Sequence, residues 1–306
     1  MTLIKSISGI RGTIGGKTAD NLTPIDAVKF ASAYGAFILE RNNIDAESSS
    51  AQEKKVKVVI GRDARISGKM ISSLVANTLV GLGIDVIDLG LSTTPTVEVA
   101  VPLENAQGGI ILTASHNPKQ WNALKLLNEK GEFLNGAEGE LILQKAENDD
   151  FTYADVDDLG SYSKDKSYLQ KHIQEVLNLE LVDVEAIKKA NFKVVVDGVN
   201  STGGIFIPAL LKELNVDCIE LYCEPNGQFP HNPEPLKEHL TDISELVVKE
   251  QADFGIVVDP DVDRLALISE DGSMFGEEYT LVACADYVLG KLGGGNTVSN
   301  LSSSRA

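Results

Sequence analysis

The sequence predicts an α/β protein of repeated βαβ units with mixed, mainly parallel sheets, forming two complete domains and the start of a third. Residues 56–89 and 194–221 carry this prediction, because each contains an apolar strand, a Gly-containing turn, an apolar-periodic helix and a second strand. Their closing strands align at an offset of 132 residues, from Ile84 to Val216 (216 − 84 = 132). Since a βαβ crossover joins parallel strands and packs its helix on the sheet, two such sheets are expected.

The remaining elements follow along the chain. A helix is predicted over residues 24–40, because Thr23 suits the N-cap and Pro24 suits the first helical position. The polar residues 42–54 then predict a loop before the first βαβ unit. The run Gly109–Leu112 predicts a buried strand after that unit.

An acidic run marks the predicted end of the first domain. Residues 147–158 carry six acidic side chains in twelve positions, which is typical of a domain boundary or a solvated helix end; we favour the boundary. The predicted domains are therefore 1–150, 151–272 and 273–306. Residues 296–301 predict a strand and 302–304 a turn before a helix that does not follow. We therefore expect this chain to be the N-terminal portion of a longer protein.

Composition excludes several classes of function. The chain has 27 Lys and Arg against 45 Asp and Glu, for a formal charge of −18. This balance argues against sequence-independent binding of nucleic acid, which needs clustered cations. No stretch approaches the roughly 20 apolar residues of a membrane span, and the N-terminus does not resemble a signal peptide. We expect a cytoplasmic protein without nucleic-acid or membrane partners.

The first candidate site is the segment Thr113–Pro118, which follows the buried strand. Sites in parallel α/β sheets lie at the carboxyl ends of strands, and the Asn117-Pro118 turn would hold Ser115 exposed. An ordinary turn is the alternative on this evidence alone. Acyl transfer is disfavoured because no G-x-S-x-G elbow frames Ser115, and the adjacent His116 does not by itself make a hydrolase pair.

The second candidate site is the acidic loop of Asp259, Asp261 and Asp263, between apolar runs that predict strands. Three close carboxylates without thiol or imidazole favour Mg²⁺ or Ca²⁺, and a solvated loop is the alternative. An EF-hand is rejected because Arg264 replaces its Gly and strands flank the loop. A haloacid-dehalogenase-like phosphotransferase with Asp259 as nucleophile and Asp261 as acid/base stays open, although such enzymes prefer Thr or Val where Asp263 stands.

Three weaker motifs carry cations. Residues 8–12 place Arg11 among small residues, which suits close approach of a phosphate or simply a Gly-rich turn. Residues 61–68 include Arg62, and their Arg and Asp side chains could equally form a buried ion-pair network beneath a site. Residues 121–125 end in Lys125, which is either a general acid/base or a surface lysine.

Together these motifs resemble the α-D-phosphohexomutase family of phosphoglucomutases, phosphomannomutases and phosphoglucosamine mutases. They occur in the family's order and approximate spacing, and they cover essentially the whole chain. The carriers are SGIRG (8–12), GRDARISG (61–68), TASHNP (113–118), WNALK (121–125) and DPDVDR (259–264).

The resemblance implies an intramolecular phosphotransferase. Ser115 would carry a phosphoryl group and exchange it with C1 and C6 of a hexose phosphate through a hexose bisphosphate. The first domain would then hold the phosphoserine loop and the second the metal-binding loop. By the resemblance, Mg²⁺ would be held by Ser115, Asp259, Asp261 and Asp263. Proton transfer and transition-state support would come from Lys125 and Arg11. Further support of the site would come from His116, Asn117, Arg62 and Arg264.

Departures from the family pattern limit this expectation. Pro260 and Ala123 stand where the family has Gly, and Ala123 bears on the geometry of Lys125. The family's Gly-Glu-x-Ser loop and its last phosphate-binding loop are missing, and Gly276-Glu277-Glu278 lacks the Ser. We therefore expect this chain to be poorly active or inactive. The sequence does not favour one hexose phosphate over another, or a monomer over a dimer. An aspartyl phosphotransferase and a non-catalytic sugar-phosphate or cation-binding protein are the alternatives.

Overall fold

The computed structural model describes residues 1–6, 9–47 and 55–298, apart from the side chains of 43–47 and 277–278. Ser8 of the SGIRG motif, part of the predicted 42–54 loop and the predicted 302–304 turn lie outside the described residues. The chain forms two compact units. The first comprises residues 1–172 with 226–228, and the second comprises residues 173–225 with the chain from Phe229 onward.

The first unit contains one mixed sheet. Its strands are β1 (Ile4–Ser6), β2 (Gly9–Thr13), β3 (Lys57–Arg62), β4 (Asp85–Leu91), β5 (Gly108–Leu112), β6 (Trp121–Leu127) and β7 (Tyr162–Lys164). They lie in the order β1-β2-β6-β5-β3-β4-β7. The pairs β3/β4, β3/β5 and β4/β7 are parallel, whereas β6 pairs antiparallel with both β2 and β5.

Helices cover both faces of this sheet. They are α1 (Pro24–Glu47), α2 (Gly68–Gly81), α3 (Thr94–Leu103) and α4 (Gly136–Asn148). Side chains of α1, α2 and α4 share one buried cluster with Ile60, Ile110 and Leu124. Side chains of α3 share a second cluster with Val59 and Ile111 on the opposite face. The alternation of adjacent strand residues between the two clusters follows from the two-residue period of a strand.

Helix α1 begins where the sequence predicts but is longer. The backbone N–H of Thr23 donates to Asp26 Oδ2 at 3.0 Å, and the Asp26 N–H faces Thr23 Oγ1 at 3.4 Å, as in an N-terminal capping box. The prediction of a loop from residue 42 is wrong as far as Glu47, because α1 continues to that residue. Residues 41–47 contain neither Gly nor Pro, so no residue there breaks the helix.

The second unit contains a smaller sheet. Its strands are β8 (Lys193–Asp197), β9 (Asp217–Leu221), β10 (Phe254–Val258) and β11 (Leu265–Ser269), in the order β11-β10-β8-β9. The pairs β8/β9 and β8/β10 are parallel, and β10/β11 is antiparallel. Helix α5 (Tyr168–Leu177) leads into this unit, which also contains α6 (Val184–Ala190), α7 (Gly203–Glu213), α8 (Thr241–Glu250) and α9 (Glu277–Leu292).

These observations confirm the predicted fold class. Both βαβ units are present, as β3-α2-β4 and β8-α7-β9, and both sheets mix parallel with antiparallel pairs. Within the described residues, no helix combines the length and the apolar character needed to cross a membrane. Residues 296–298 do not form a strand, and the rest of the predicted 296–301 strand lies outside the described residues.

The predicted domain boundaries stay a prediction, although two contacts bear on them. Strand β7 pairs with β4, and the N–H of Ala154 donates to the carbonyl of Gly81 at 2.9 Å. The segment that follows residue 150 is therefore attached to the first sheet, and the first compact unit extends to His172.

Tyr34 provides a test of the first core. Its hydroxyl is fully buried and donates to the carbonyls of Leu127 at 2.8 Å and Gly109 at 3.2 Å. Tyr34→Phe leaves these carbonyls with one partner fewer, and we expect the free energy of unfolding to fall by about 1 kcal/mol. Tyr153→Phe is the control: the half-exposed Tyr153 hydroxyl bonds only Ser32 Oγ among the described residues, and Ser32 keeps its hydrogen bond to the Val28 carbonyl. Urea unfolding measures both, and equal losses would contradict the role of Tyr34.

Candidate active site

The Ser115 loop begins at the carboxyl end of β5 and is tied to the end of β3. Thr113 Oγ1 donates to Asp63 Oδ2 at 2.7 Å, and the backbone N–H of Ser115 donates to Thr113 Oγ1 at 2.9 Å. Asp63 and Thr113 are completely buried, whereas Ser115 is half-buried. The parallel pairing of β3 with β5 brings these two strand ends to one edge of the sheet.

Ser115 has a backbone conformation that few non-Gly residues adopt. Its φ is +47°, in the left-handed region. Such a conformation costs about 1–3 kcal/mol and persists only where the surrounding contacts impose it. The loop therefore needs a strong internal restraint.

Arg65 supplies that restraint from below. Its side chain is completely buried, and its Nε donates to Asp63 Oδ2 at 2.8 Å. The two terminal nitrogens donate to four backbone carbonyls of the loop, those of Ser115, Asn117 (2.7 Å), Pro118 (2.8 Å) and Trp121 (3.0 Å). One guanidinium thus fixes the path of the chain from Ser115 to Trp121. The interpretation of residues 61–68 as a buried ion-pair network matches this arrangement.

His116 lies beside the Ser115 hydroxyl, and further hydrogen bonds fix the chain around it. Ser115 Oγ lies 3.4 Å from His116 Nδ1. The backbone N–H of Asn117 donates to the carbonyl of Ala114 at 3.0 Å, which closes the turn. Asn122 is buried and donates from Nδ2 to Ser67 Oγ at 2.9 Å, so it joins the start of β6 to the start of α2.

Arg11 and Lys125 lie on one face of the sheet. Arg11 on β2 pairs with Ala123 on β6, so side-chain alternation places Arg11, Ala123 and Lys125 on the same side. The next residue across the sheet from Ala123 is Thr113, whose N–H donates to the Ala123 carbonyl at 3.2 Å. The structure therefore brings Arg11 level with the start of the serine loop.

Lys125 lies further from that loop along its strand. It pairs with Ile111, two residues before Thr113, which corresponds to about 7 Å along a strand. Its amine lies 5.8 Å from the centre of the Phe133 ring. Arg11 Nε is buried and makes no hydrogen bond with any residue that the structure describes.

Arg62 is not placed among these residues. Although it ends β3, its side chain lines a cavity between α2, β4 and the end of β7, and its Nη1 donates to the Asp63 carbonyl at 3.0 Å. Burial lowers the pKa of Arg62 from its ordinary value, against the opposing influence of Asp63 and Asp88.

The acidic loop of the second unit joins β10 to β11. Asp259 and Asp261 are completely buried, whereas Asp263 is exposed. One oxygen from each of the three carboxylates lies within 4.8 Å of the others. Hard, purely oxygen ligands at this spacing fit Mg²⁺ or Ca²⁺.

Backbone donors and neighbouring hydroxyls hold this loop. Asp259 Oδ1 accepts the backbone N–H groups of Asp263 and Arg264, each at 3.1 Å. The buried hydroxyls of Ser201 and Thr202 donate to the carbonyl of Pro260 at 2.7 and 2.8 Å. Sequence patterns did not reveal Ser201 and Thr202; the signal that identifies them is their position in the turn after β8, which is parallel to β10.

A strained residue separates the last two carboxylates. Val262 has a φ of +65°, which is unusual for a β-branched side chain. The backbone N–H of Val262 donates to the carbonyl of Asp259 at 3.1 Å. At this turn, one carboxylate oxygen of Asp261 lies within 4.8 Å of one carboxylate oxygen of Asp263.

Two further pairs support the loop from the segment before α8. Arg264 Nη1 donates to Glu234 Oε1 at 2.9 Å. Three residues before Glu234, His231 Nε2 lies 3.0 Å from Asp197 Oδ2, and its Nδ1 lies 2.8 Å from the carbonyl of Asn232. Because both ring nitrogens face acceptors, the arrangement suits the imidazolium. Sequence analysis did not identify His231, since its partner is 34 residues away.

Comparisons with known proteins match most of the chain to the domains of one family. Residues 3–153 match the model of "Phosphoglucomutase/phosphomannomutase, alpha/beta/alpha domain I", and residues 168–272 match the model of domain II. The chain belongs to this family, the α-D-phosphohexomutases.

Its relatives include a phosphoglucomutase/phosphomannomutase of Thermococcus kodakarensis, 36% identical over 96% of this chain and 62% of that protein. A Pyrococcus horikoshii protein assigned as a phosphoglucosamine mutase is 34% identical over 96% of this chain and 59% of that protein. Among solved structures, a Thermus thermophilus protein assigned as a phosphomannomutase superposes with a TM-score of 0.80 at 26% identity, covering 95% of this chain and 62% of that one. The chain thus spans about 60% of the length of these relatives.

Arg65→Lys tests the restraint on the serine loop. A lysine cannot reproduce five donations in a fixed plane, so the loop carbonyls and the Asp63 carboxylate keep fewer hydrogen-bond partners. We expect the free energy of unfolding to fall by about 3–5 kcal/mol. Arg41→Lys is the matched control, since the half-exposed Arg41 pairs with Glu129 and Glu138 and should lose less than about 1 kcal/mol. Denaturant unfolding monitors both, and a loss of similar size in the two variants would refute the restraint.

The His231–Asp197 pair predicts a pH dependence. Burial opposes the charge on His231, but the hydrogen bond to Asp197 and its negative charge raise the pKa of the histidine above its ordinary value. A pKa that is higher in the folded state stabilises fully below the unfolded value of about 6.5, and this stability is lost as pH rises through the folded pKa. In the wild-type protein, the free energy of unfolding should therefore decrease as the pH rises above about 6.5. His231→Gln should make this decrease smaller. Asp197→Asn should remove the same slope, and an unchanged slope in both variants would contradict the pairing.

Proposed function

We propose that this chain provides the phospho-carrier loop and the metal-binding loop of a phosphohexomutase. The reaction moves a phosphoryl group between C1 and C6 of a hexose phosphate, through a phosphoserine on Ser115 and a hexose bisphosphate. The observation that carries the proposal is the left-handed Ser115, held at the end of β5 by the buried Asp63–Arg65 pair. A structural turn has no need of such a restraint on one serine.

Phosphoryl transfer from Ser115 requires one bond to form as another breaks. A sugar hydroxyl attacks the phosphorus, the P–Oγ bond breaks, and Ser115 Oγ leaves. The proton of the sugar hydroxyl passes to a base, for which Lys125 is the family-implied group. After the bisphosphate reorients, Ser115 Oγ attacks the other phosphorus and the bond from that phosphorus to the sugar oxygen breaks. The sugar oxygen takes the proton back from the base, and the phosphoserine is restored.

Arg11 supports this transfer through charge. Its buried Nε makes no hydrogen bond within the described residues, and Ala123, its neighbour across the strand pair, is small. A guanidinium that approaches a phosphoryl group can donate two parallel hydrogen bonds. Negative charge that develops on the transferred group is then stabilised without rearrangement of the sheet.

Asp259, Asp261 and Asp263 would hold Mg²⁺, with the phosphorylated Ser115 as a further ligand. A bound Mg²⁺ neutralises charge on the phosphoryl oxygens and polarises the phosphorus. The protein contributes the orientation, because Asp259 is fixed by two backbone N–H groups and Pro260 by two buried hydroxyls. Arg264, which follows Asp263 directly, forms an ion pair with Glu234.

The substrate is proposed as a class, a hexose 1- or 6-phosphate. The relatives carry names that refer to glucose, mannose and glucosamine phosphates, so they do not favour one sugar. The Gly-Glu-x-Ser sequence that the family resemblance associates with sugar selection does not occur in this chain. We propose that the chain on its own has little mutase activity, since it spans about 60% of its relatives' length. Full activity in a mutase assay with a hexose phosphate would contradict this.

The aspartyl alternative receives less support. Asp259 is completely buried, and its Oδ1 already accepts two N–H groups, whereas a nucleophile must reach an incoming phosphorus. Ser115 is half-buried at a strand end. A non-catalytic binding protein would bind hexose phosphate without acquiring phosphate on Ser115.

Phosphorylation of Ser115 is the decisive test. Incubation with a hexose 1,6-bisphosphate and Mg²⁺ should add one phosphoryl group, read by intact mass and located by peptide mapping. Ser115→Ala should abolish the addition, and Ser163→Ala, an exposed serine on β7, should leave it unchanged. Neutral hydroxylamine cleaves an acyl phosphate but spares a phosphoserine, so loss of the label would favour Asp259. Absence of label in the wild-type chain would favour the non-catalytic alternative.

Metal binding is tested separately. Asp261→Asn removes one charge from the cluster, and we expect the dissociation constant for Mg²⁺ to rise about tenfold or more, or about 1.4 kcal/mol. Glu245→Gln on α8 is the control, since this exposed carboxylate lies outside the cluster. Isothermal titration with Mg²⁺ alone measures both. Equal weakening would show that Mg²⁺ responds to net charge rather than to the cluster.

A further inference from the structure

A cavity of about 420 Å³ in the first unit is strongly basic. It lies between α2, the end of β4 and the end of β7, and neither Ser115 nor His116 lines it. The lining side chains include four cations: Arg62, Lys69, Lys164 and Lys166. Four of twelve lining residues are therefore cationic, whereas the chain has 27 Lys and Arg among 306 residues and a net charge of −18. The positive charge of the cavity is therefore opposite in sign to the net charge of the whole chain, which suggests a binding role.

The single carboxylate of the cavity is already engaged. Asp88 Oδ1 accepts the N–H of Gly90 at 2.8 Å, and Oδ2 accepts the hydroxyl of Tyr162 at 2.6 Å. Burial and the hydrogen bond to Asp88 raise the pKa of Tyr162 to about 12, so this hydroxyl stays a donor. With Asp88 counted, the lining keeps a net charge of +3 (four cations less one anion).

Arg62 is the fixed cation of the cavity. It is half-buried, and the close approach of its side chain to Gly68 at the start of α2 limits its movement. Its Nη1 donates to the Asp63 carbonyl at 3.0 Å, but a guanidinium has five N–H donors in one plane. A half-buried guanidinium stabilises an anion more strongly than an exposed one, because less water screens the interaction.

Neutral donors complete the wall. Ser72, Ser73 and Asn77 line the cavity from α2. Ser72 and Ser73 follow Lys69 by three and four residues, so all three share one face of that helix. Hydroxyl and amide groups beside cations suit the oxygens of a phosphate and the hydroxyls of a sugar. The volume lies within the range of small-molecule sites, about 300–1,000 Å³.

We propose that this cavity binds the phosphate group of a small phosphorylated molecule, at a site separate from Ser115. Three or four cations match a phosphate dianion, and the acidity of the chain disfavours a phosphate polymer. Two sources share this chemistry, inorganic phosphate and a phosphorylated sugar. This proposal concerns the cavity that Arg62 lines, and it does not depend on the proposed mutase activity.

The test compares two triple variants with the same change of charge. Lys69→Ala, Lys164→Ala and Lys166→Ala together remove the exposed cations of the cavity, and Lys130→Ala, Lys189→Ala and Lys249→Ala together remove exposed cations elsewhere. Backbone amide resonances of Ser72 and Ser73 are followed during titration with inorganic phosphate and, separately, with hexose 6-phosphate. Signals from this helix distinguish the cavity from the serine loop.

We expect the Ser72 and Ser73 amides to shift at millimolar phosphate, and the dissociation constant to rise about tenfold in the cavity variant. The dissociation constant of the control variant should stay within about twofold of the wild-type value. Binding to the wild-type protein should weaken at 0.5 M salt, where the Debye screening length is about 4 Å. Tighter binding of the hexose phosphate identifies a phosphorylated sugar, and equal binding identifies phosphate alone; both support the site. No shift at about 10 mM of either probe, or equal weakening in the two variants, would overturn it.

Discussion

The buried ion pair of Asp63 and Arg65 is the interaction on which the conformation of the Ser115 loop depends. A charged pair without solvent costs desolvation free energy, and it is stable only when all its hydrogen bonds are satisfied. Here the carboxylate accepts from Thr113 and Arg65, and the guanidinium is saturated by backbone carbonyls. The main effect of the pair is therefore to fix one conformation of the loop, and its contribution to the free energy of unfolding is secondary.

The second unit reaches a similar result with different chemistry. In place of a guanidinium, the carboxylate of Asp259 gathers backbone N–H groups, and the hydroxyls of Ser201 and Thr202 hold a carbonyl. Both loops follow the central strands of their sheets and are fastened to the turn after a parallel neighbour. Both also contain a non-Gly residue with positive φ, Ser115 and Val262, whose strain is balanced by these fastenings.

The sequence predicted the fold class and the strands around both loops, because hydrophobic periodicity and turn residues are local signals. Ser115 and the three aspartates were recognisable since their residue types follow buried strands. The roles of Thr202 and His231 depend on partners far along the chain, Pro260 and Asp197, which periodicity does not reveal. Arg62 illustrates the same limit, because only the packing of α2 and β7 shows which cavity its side chain enters.

The donations of Arg65 also change the electrostatic field that an incoming anion meets. Every peptide carbonyl carries partial negative charge, and a loop that displayed several of them would repel a phosphate dianion. Four carbonyls of the Ser115 loop converge on one interior cation instead. The negative ends of these peptide dipoles consequently point inward. The outer surface of the loop therefore repels a doubly charged anion less strongly.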